Sequence, residues 1–179
     1  MIKLIIGVVI AAVAAITVFM VLDPNISITS NGTTDTAEVS SHTFSATIEG
    51  AVYKPGSYTM KENSTMADLI ESAGGISSNA DSRAYYEDAL ITNGVTYYIA
   101  SKFDASDICG SNEVTKVNIN SDTAEVLASV DGISTTIANS IVNYRNSNGL
   151  FSTLEQLQDV YGVGNATYKK IRNYVILHV

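Results

Sequence analysis

Two short glycine turns, Val130-Asp-Gly-Ile-Ser134 and Val160-Tyr-Gly-Val-Gly164, lie thirty positions apart near the C-terminus. Each opens into a helical pattern, beginning near Thr135 in the first case and Asn165 in the second. A turn of this kind presents unpaired backbone N–H groups at the positive end of a helix dipole, which favours a bound anion. Cationic side chains cluster nearby: Lys169, Lys170 and Arg172 after the second turn, Arg145 after the first, and Lys116 upstream. Backbone N–H groups of Gly132, Ser134, Gly162 and Gly164 together with these cations suit the phosphates of a nucleic-acid backbone, a contact that carries no base sequence. The plainer alternative is a helical bundle whose glycines serve only the turns and whose lysines form a solvated helix face.

The elements that must position these residues are themselves duplicated. Thr123, Glu125, Leu127, Val130, Gly132, Ile141, Asn143 and Tyr144 recur as Thr153, Glu155, Leu157, Val160, Gly162, Ile171, Asn173 and Tyr174. A repeat of that period marks one supersecondary unit written twice, here helix, glycine hairpin, helix. Ser121 is the expected cap of the first helix, with Ala124, Leu127 and Ala128 on one face. Ile137, Ile141 and Tyr144 line the next helix, which Gly149 ends. The second copy opens on Ser152-Thr-Leu-Glu155, read as a capping box of Ser152 with Glu155. Leu154, Leu157, Tyr168, Ile171 and Val175 form its apolar stripe. Each stripe is too short for a core alone, so the copies are expected to pack on each other.

The rest of the 179 residues divides by composition. Leu4 to Leu22 is an apolar run of nineteen residues without a charge. It spans about 28 Å as a helix, close to a bilayer's hydrocarbon thickness. It is longer than a signal-peptide core and lacks a small-residue cleavage site. Lys3 before it and Asp23 after it place the N-terminus in the cytoplasm and the remainder outside, in a single pass through the cell membrane. The Ser-, Thr- and Asn-rich stretch to His42 reads as a flexible stalk of about 25 Å.

Strand patterns begin at Thr43. Pro55 and Gly56 are assigned to the centre of a type II turn, and Ser64 to the cap of a helix carrying Met66, Leu69, Ile70 and Ala73. Asn93-Gly94 is assigned to a hairpin between Ala89–Thr92 and Val95–Ile99. The expected fold class is α+β: an N-terminal transmembrane helix, a small β-grasp-like domain, then an all-α domain of tandem helix–hairpin–helix units. The divisions are anchor 1–22, stalk 23–42, β-grasp-like domain 43–100, linker 101–116 and tandem unit 117–179.

Lys116-Val-Asn-Ile-Asn120, the twin hairpins and Asn148-Gly-Leu-Phe151 resemble the ComEA family of competence DNA receptors. Ile48-Glu-Gly-Ala-Val52, Lys54-Pro-Gly56 and Ala73-Gly-Gly75 are similar to the SLBB module, a β-grasp domain. The resemblance implies a surface receptor that binds double-stranded DNA without sequence preference and presents it to an uptake channel. It implies DNA contacts at Gly132, Ser134, Thr135, Arg145, Gly162, Gly164, Asn165, Lys169, Lys170 and Arg172. It also makes self-association through the SLBB-like domain an expectation, since a row of weak sites gains avidity. The chain departs from the family pattern at Ser134, where a second glycine is usual, and at Ile137 and Ala166, where lysine is common.

Charge qualifies this reading. The net charge is −8; from residue 113 onward five basic and six acidic side chains leave −1. Non-specific DNA affinity comes largely from cations displacing phosphate counterions, so weak binding with a salt slope of about −3 is expected from three or four contacts. The competing reading is a surface assembly or ligand- or glycan-binding protein acting through the SLBB-like domain, with Tyr85-Tyr86 and Tyr97-Tyr98 as aromatic surface and the hairpins as a DNA-inactive scaffold. Helix–hairpin–helix units also occur in enzymes that act on DNA, but here no carboxylate cluster, Ser/His/Asp order or glycine-rich nucleotide loop points to catalysis. No cofactor is implied. His42, His178 and the single Cys109 are too scattered for a metal site or an intrachain disulfide.

Overall fold

A computed structural model describes residues 42–103 and 113–179. The expected anchor, most of the stalk and Cys109 lie outside the described residues. Among the described residues no helix is long and apolar enough to cross a membrane. The described residues form one compact unit of mixed α+β structure.

The first half is a three-stranded sheet with a helix packed against it. Strand β1 (Thr43–Gly50) is central. It pairs antiparallel with β2 (Gly56–Lys61) and parallel with β3 (Thr96–Ile99), in the order β2-β1-β3. Helix α1 (Met66–Ser72) buries Met66 and Leu69. Its cap is Thr65 rather than Ser64: the Asp68 carboxylate accepts from Thr65 N–H at 2.7 Å, closing a capping box one residue later than expected. Two turn assignments are corrected. Gly56 does not adopt the positive φ of a type II turn; it is the first residue of β2, opposite Ile48. Asn93-Gly94 does turn, with Gly94 at φ +75°, but no hairpin follows. Asn93 Oδ1 accepts from Ser45 N–H and Gly94 N–H donates to Ser45 O, so the turn is fastened to β1 and delivers β3 to its open edge. Leu90 instead bridges Thr65.

The second half carries the duplicated unit. The first copy is α2 (Ala124–Leu127), hairpin one and α3 (Thr135–Asn148). The second is a 3₁₀ segment (Leu154–Asp159), hairpin two and α4 (Asn165–Ile171). A two-residue parallel pair, β4 (Val117–Asn118) with β5 (Val175–Ile176), ties the ends together, so the unit is not purely helical. The caps again fall beside the expected residues. Thr123, not Ser121, caps α2, its hydroxyl accepting from Val126 N–H. Gln156, not Glu155, answers the second copy's cap, accepting from Ser152 and Thr153 N–H groups. Gly149 ends α3 at φ +93°, as expected.

Leu127, Ile141, Leu154, Leu157, Ile171 and Val175 are fully buried in one core that both copies share. Removing such a side chain from a packed core costs about 2–5 kcal/mol. That core also takes in Ala84 and Ala100 from the first half, and Tyr86 and Tyr98 pack against it. The segment expected as a polar linker is structured at both described ends: Phe103 bridges Glu113, and the Lys116 side chain is buried.

Candidate nucleic-acid interface

The hairpin glycines hold the two copies against each other. Gly132 (φ +103°) and Gly162 (φ +91°) adopt a backbone that L-residues avoid. A Cβ on Gly132 would lie 3.0 Å from both Ile171 Cγ2 and Lys170 Cδ, and one on Gly162 would lie 3.3 Å from Ile137 Cγ1. Each turn therefore rests on the second helix of the other copy. Buried Ile133 and Val163 pin the turns from inside, with Ile133 N–H donating to Val130 O and Val163 N–H to Val160 O, both at 3.0 Å. The repeat thus builds two rigid, matching backbone cradles.

Their chemistry differs. In hairpin one Ser134 caps α3, its Oγ accepting from Ile137 N–H at 3.2 Å. The exposed Asp131 carboxylate lies 2.9 Å from Lys170 Nζ. In hairpin two Gly164 is the cap residue of α4 and supplies no side-chain acceptor, so the first-turn N–H groups are left for solvent or a ligand. Gly162, Gly164 and Asn165 are exposed, as are Ser134 and Thr135 in the first copy. Tyr161 stands in solvent at the tip of hairpin two.

Of the cations singled out from sequence, Lys169 is exposed, with no acidic partner among the described residues, and Lys170 is half-exposed beside Asp131. The other three face inward. Arg145 donates to Ile119 O and Asp122 O, both at 2.7 Å, clamping the loop before α2. Arg172 lies 3.8 Å above the Tyr98 ring and donates to Glu49 at 3.1 Å. Lys116 Nζ, fully buried, sits 2.9 Å from Asp81, which also takes two bonds from the Arg83 guanidinium. Burial pushes the Lys116 ammonium below its ordinary pKa. Burial alone would raise Asp81, but the Arg83 hydrogen bonds and the adjacent Lys116 ammonium outweigh it and hold the carboxyl well below the usual range.

Sequence reasoning gave Glu155 a capping role and missed what it does. It is buried, accepting from Tyr98 N–H and Tyr168 O–H, each at 2.8 Å, and burial raises its pKa. Its carboxylate therefore covers the outer edge of β3, joining the second copy to the sheet. Asn173 does the same for Ser101, whose N–H donates to Asn Oδ1 at 2.9 Å. The tyrosine pairs read as aromatic surface are packed: Tyr85 and Tyr97 are buried, Tyr86 stacks on His178, and Tyr98 lies under Arg172. A Ser directly before a helical pattern was the available signal for the Ser134 cap. Nothing in the sequence pairs Asp131 with Lys170, thirty-nine positions apart. Among the described residues no group of three or more His, Cys, Asp or Glu side chains is placed to hold a metal.

Two family descriptions match the chain: an SLBB domain over residues 45–99 and a helix-hairpin-helix motif over residues 112–176. The chain is 32% identical over 145 residues to ComE operon protein 1 of Bacillus subtilis (strain 168), covering 76% of this chain and 71% of that protein. It is 45% identical over 62 residues to an uncharacterized protein of Haemophilus influenzae, covering 34% of this chain and 55% of that protein.

Proposed function

We propose a function from one premise: this chain belongs to the ComEA-type family of competence DNA receptors. It captures double-stranded DNA outside the cell by its sugar–phosphate backbone, without regard to sequence, and passes it to an uptake channel. Residues 1–22 anchor it as a single transmembrane helix with the N-terminus in the cytoplasm, and the stalk to residue 42 holds the SLBB domain and the tandem unit clear of the membrane. The apolar run Leu4–Leu22 supports the anchor.

The observation that carries the DNA reading is the pair of matched hairpins, each a rigid glycine turn leading into a helix, with Lys169 and Lys170 on the helix after the second. Phosphates are held by backbone N–H groups around Gly162, Gly164 and Asn165 and by those two lysines. Gly132, Ser134 and Thr135 form the weaker cradle. Arg145 and Arg172 position the site, since their guanidinium groups are already bonded within the chain. With two cations left for phosphate instead of three or four, the salt slope falls to about −2.

Competition binding of the full-length protein to duplexes of unrelated sequence tests this. Equal affinities within about threefold are expected, because a single mismatch at a base-reading protein already costs about 1–3 kcal/mol. A strong preference for one sequence would overturn the reading.

A further inference from the structure

We propose that Tyr161 is a DNA-contacting residue whose ring packs on the deoxyribose next to the phosphate held by hairpin two. The inference rests on the DNA-binding reading and deepens it at one side chain.

Tyr161 is 82% exposed, more than any other tyrosine or phenylalanine among the described residues. The backbone beneath it is fixed. Val160 and Val163 on either side of the turn are buried, Val163 N–H closes the turn onto Val160 O, and Gly162 rests on Ile137. A tyrosine has few side-chain torsions, so on a rigid turn it supplies a large contact area at small entropic cost. The same turn leads into α4, whose last turn carries Lys169 and Lys170. A group seated one residue from a phosphate cradle meets the sugar that bears the phosphate. The repeat-equivalent residue, Asp131, is an anion held by Lys170 and would repel a phosphate, whereas Tyr161 does not. An aromatic face adds affinity without charge in a chain of net charge −8. Sugar contacts carry no base information, so sequence independence is preserved.

The test is binding of the full-length protein to a labelled duplex and to a labelled single strand of mixed sequence, across a salt series, for wild type, Tyr161→Ala, Tyr161→Phe and Tyr53→Ala. A sugar offers less than a base, so Tyr161→Ala should raise Kd about fivefold, the low end for aromatic stacking on nucleic acid. The salt slope should stay at the wild-type value, because the ring displaces no counterion. Tyr161→Phe should retain wild-type affinity. Tyr53→Ala, which removes another exposed tyrosine far along the chain in the SLBB domain, should change nothing. Wild-type affinity in Tyr161→Ala would overturn the inference while leaving the DNA reading intact. A loss confined to single-stranded DNA would overturn it in favour of stacking on unpaired bases. Failure of the wild type to bind any duplex would overturn both.

Discussion

In the first hairpin Ser134 caps the helix that follows and Asp131 reaches Lys170; in the second, Gly164 leaves the helix uncapped and Tyr161 stands in solvent. The backbones match: a positive-φ glycine, a buried aliphatic residue and a contact with the opposite copy. The paired glutamates diverge in the same way. Glu125 is exposed, and hydrogen bonds from its own backbone N–H and Thr123 lower its pKa; Glu155 is buried against the sheet and raised. The duplication has kept what the turn needs and released the residues around it. Copy one satisfies its hairpin within the chain. Copy two anchors its first segment to the SLBB domain and leaves its hairpin open.

The largest expected effect separates the cations that hold the fold from those that are free. Asp81→Ala strands Lys116 in the core and should cost about 3–5 kcal/mol in denaturant unfolding, as breaking one side of a buried pair does. Lys169→Ala should leave that unfolding curve unchanged. If both behaved alike, the division of the cations would be wrong.

The glutamates differ in the sign of their pH dependence. Burial raises the Glu155 pKa in the folded state, so its contribution to stability is complete below about 4.5 and is lost as pH rises through the raised value. Glu155→Gln keeps an acceptor oxygen and should flatten that loss in thermal unfolding measured from acid to neutral pH. Glu125, with its pKa lowered, contributes above its ordinary value of 4.5 and loses that contribution as pH falls, so Glu125→Gln should act only on the acid limb. An unchanged curve for Glu155→Gln would mean that its burial has no energetic consequence.

The caps allow the hairpins to be exchanged. Ser134→Ala should cost about 1 kcal/mol, the usual value for a lost N-cap. Gly164→Ser should gain only a few tenths of a kcal/mol in stability while weakening DNA binding, since on the proposed reading the new hydroxyl occupies an N–H that phosphate would use. Stronger binding in Gly164→Ser would show that the open cap is not part of the site. The smallest effect is a gain. Asp131→Asn frees Lys170 and should tighten binding by at most about fivefold, the range set by an exposed ion pair of about 0.2–1 kcal/mol. Weaker binding would mean that Asp131 holds Lys170 in place for DNA.

Much of this was legible in the sequence because it depends on local rules. The thirty-residue period located both hairpins, the apolar stripe named Leu127, Ile141, Leu157 and Ile171, and Gly149 marked the end of α3. Caps missed by one or two residues, at Ser64, Ser121 and Ser152, because neighbouring Ser and Thr residues are equivalent until the backbone selects one. The Asn93-Gly94 turn was recognised and its consequence was not: pairing of β3 with β1 is a long-range choice. For the site, sequence located the cations and could not assign their partners. Arg145, Arg172 and Lys116 face inward because of carbonyls and carboxylates distant in the chain, and charge counting treats an inward arginine and an outward lysine alike.

The most direct test of the central claim is the salt dependence of full-length protein binding to a mixed-sequence duplex, for wild type and for Lys169→Ala. Two outward-facing lysines, Lys169 and Lys170, predict a log–log slope of about −2 in the wild type and about −1 in the variant. No binding at low salt, or a slope unmoved by loss of Lys169, would contradict the account and leave the tandem hairpins as scaffold.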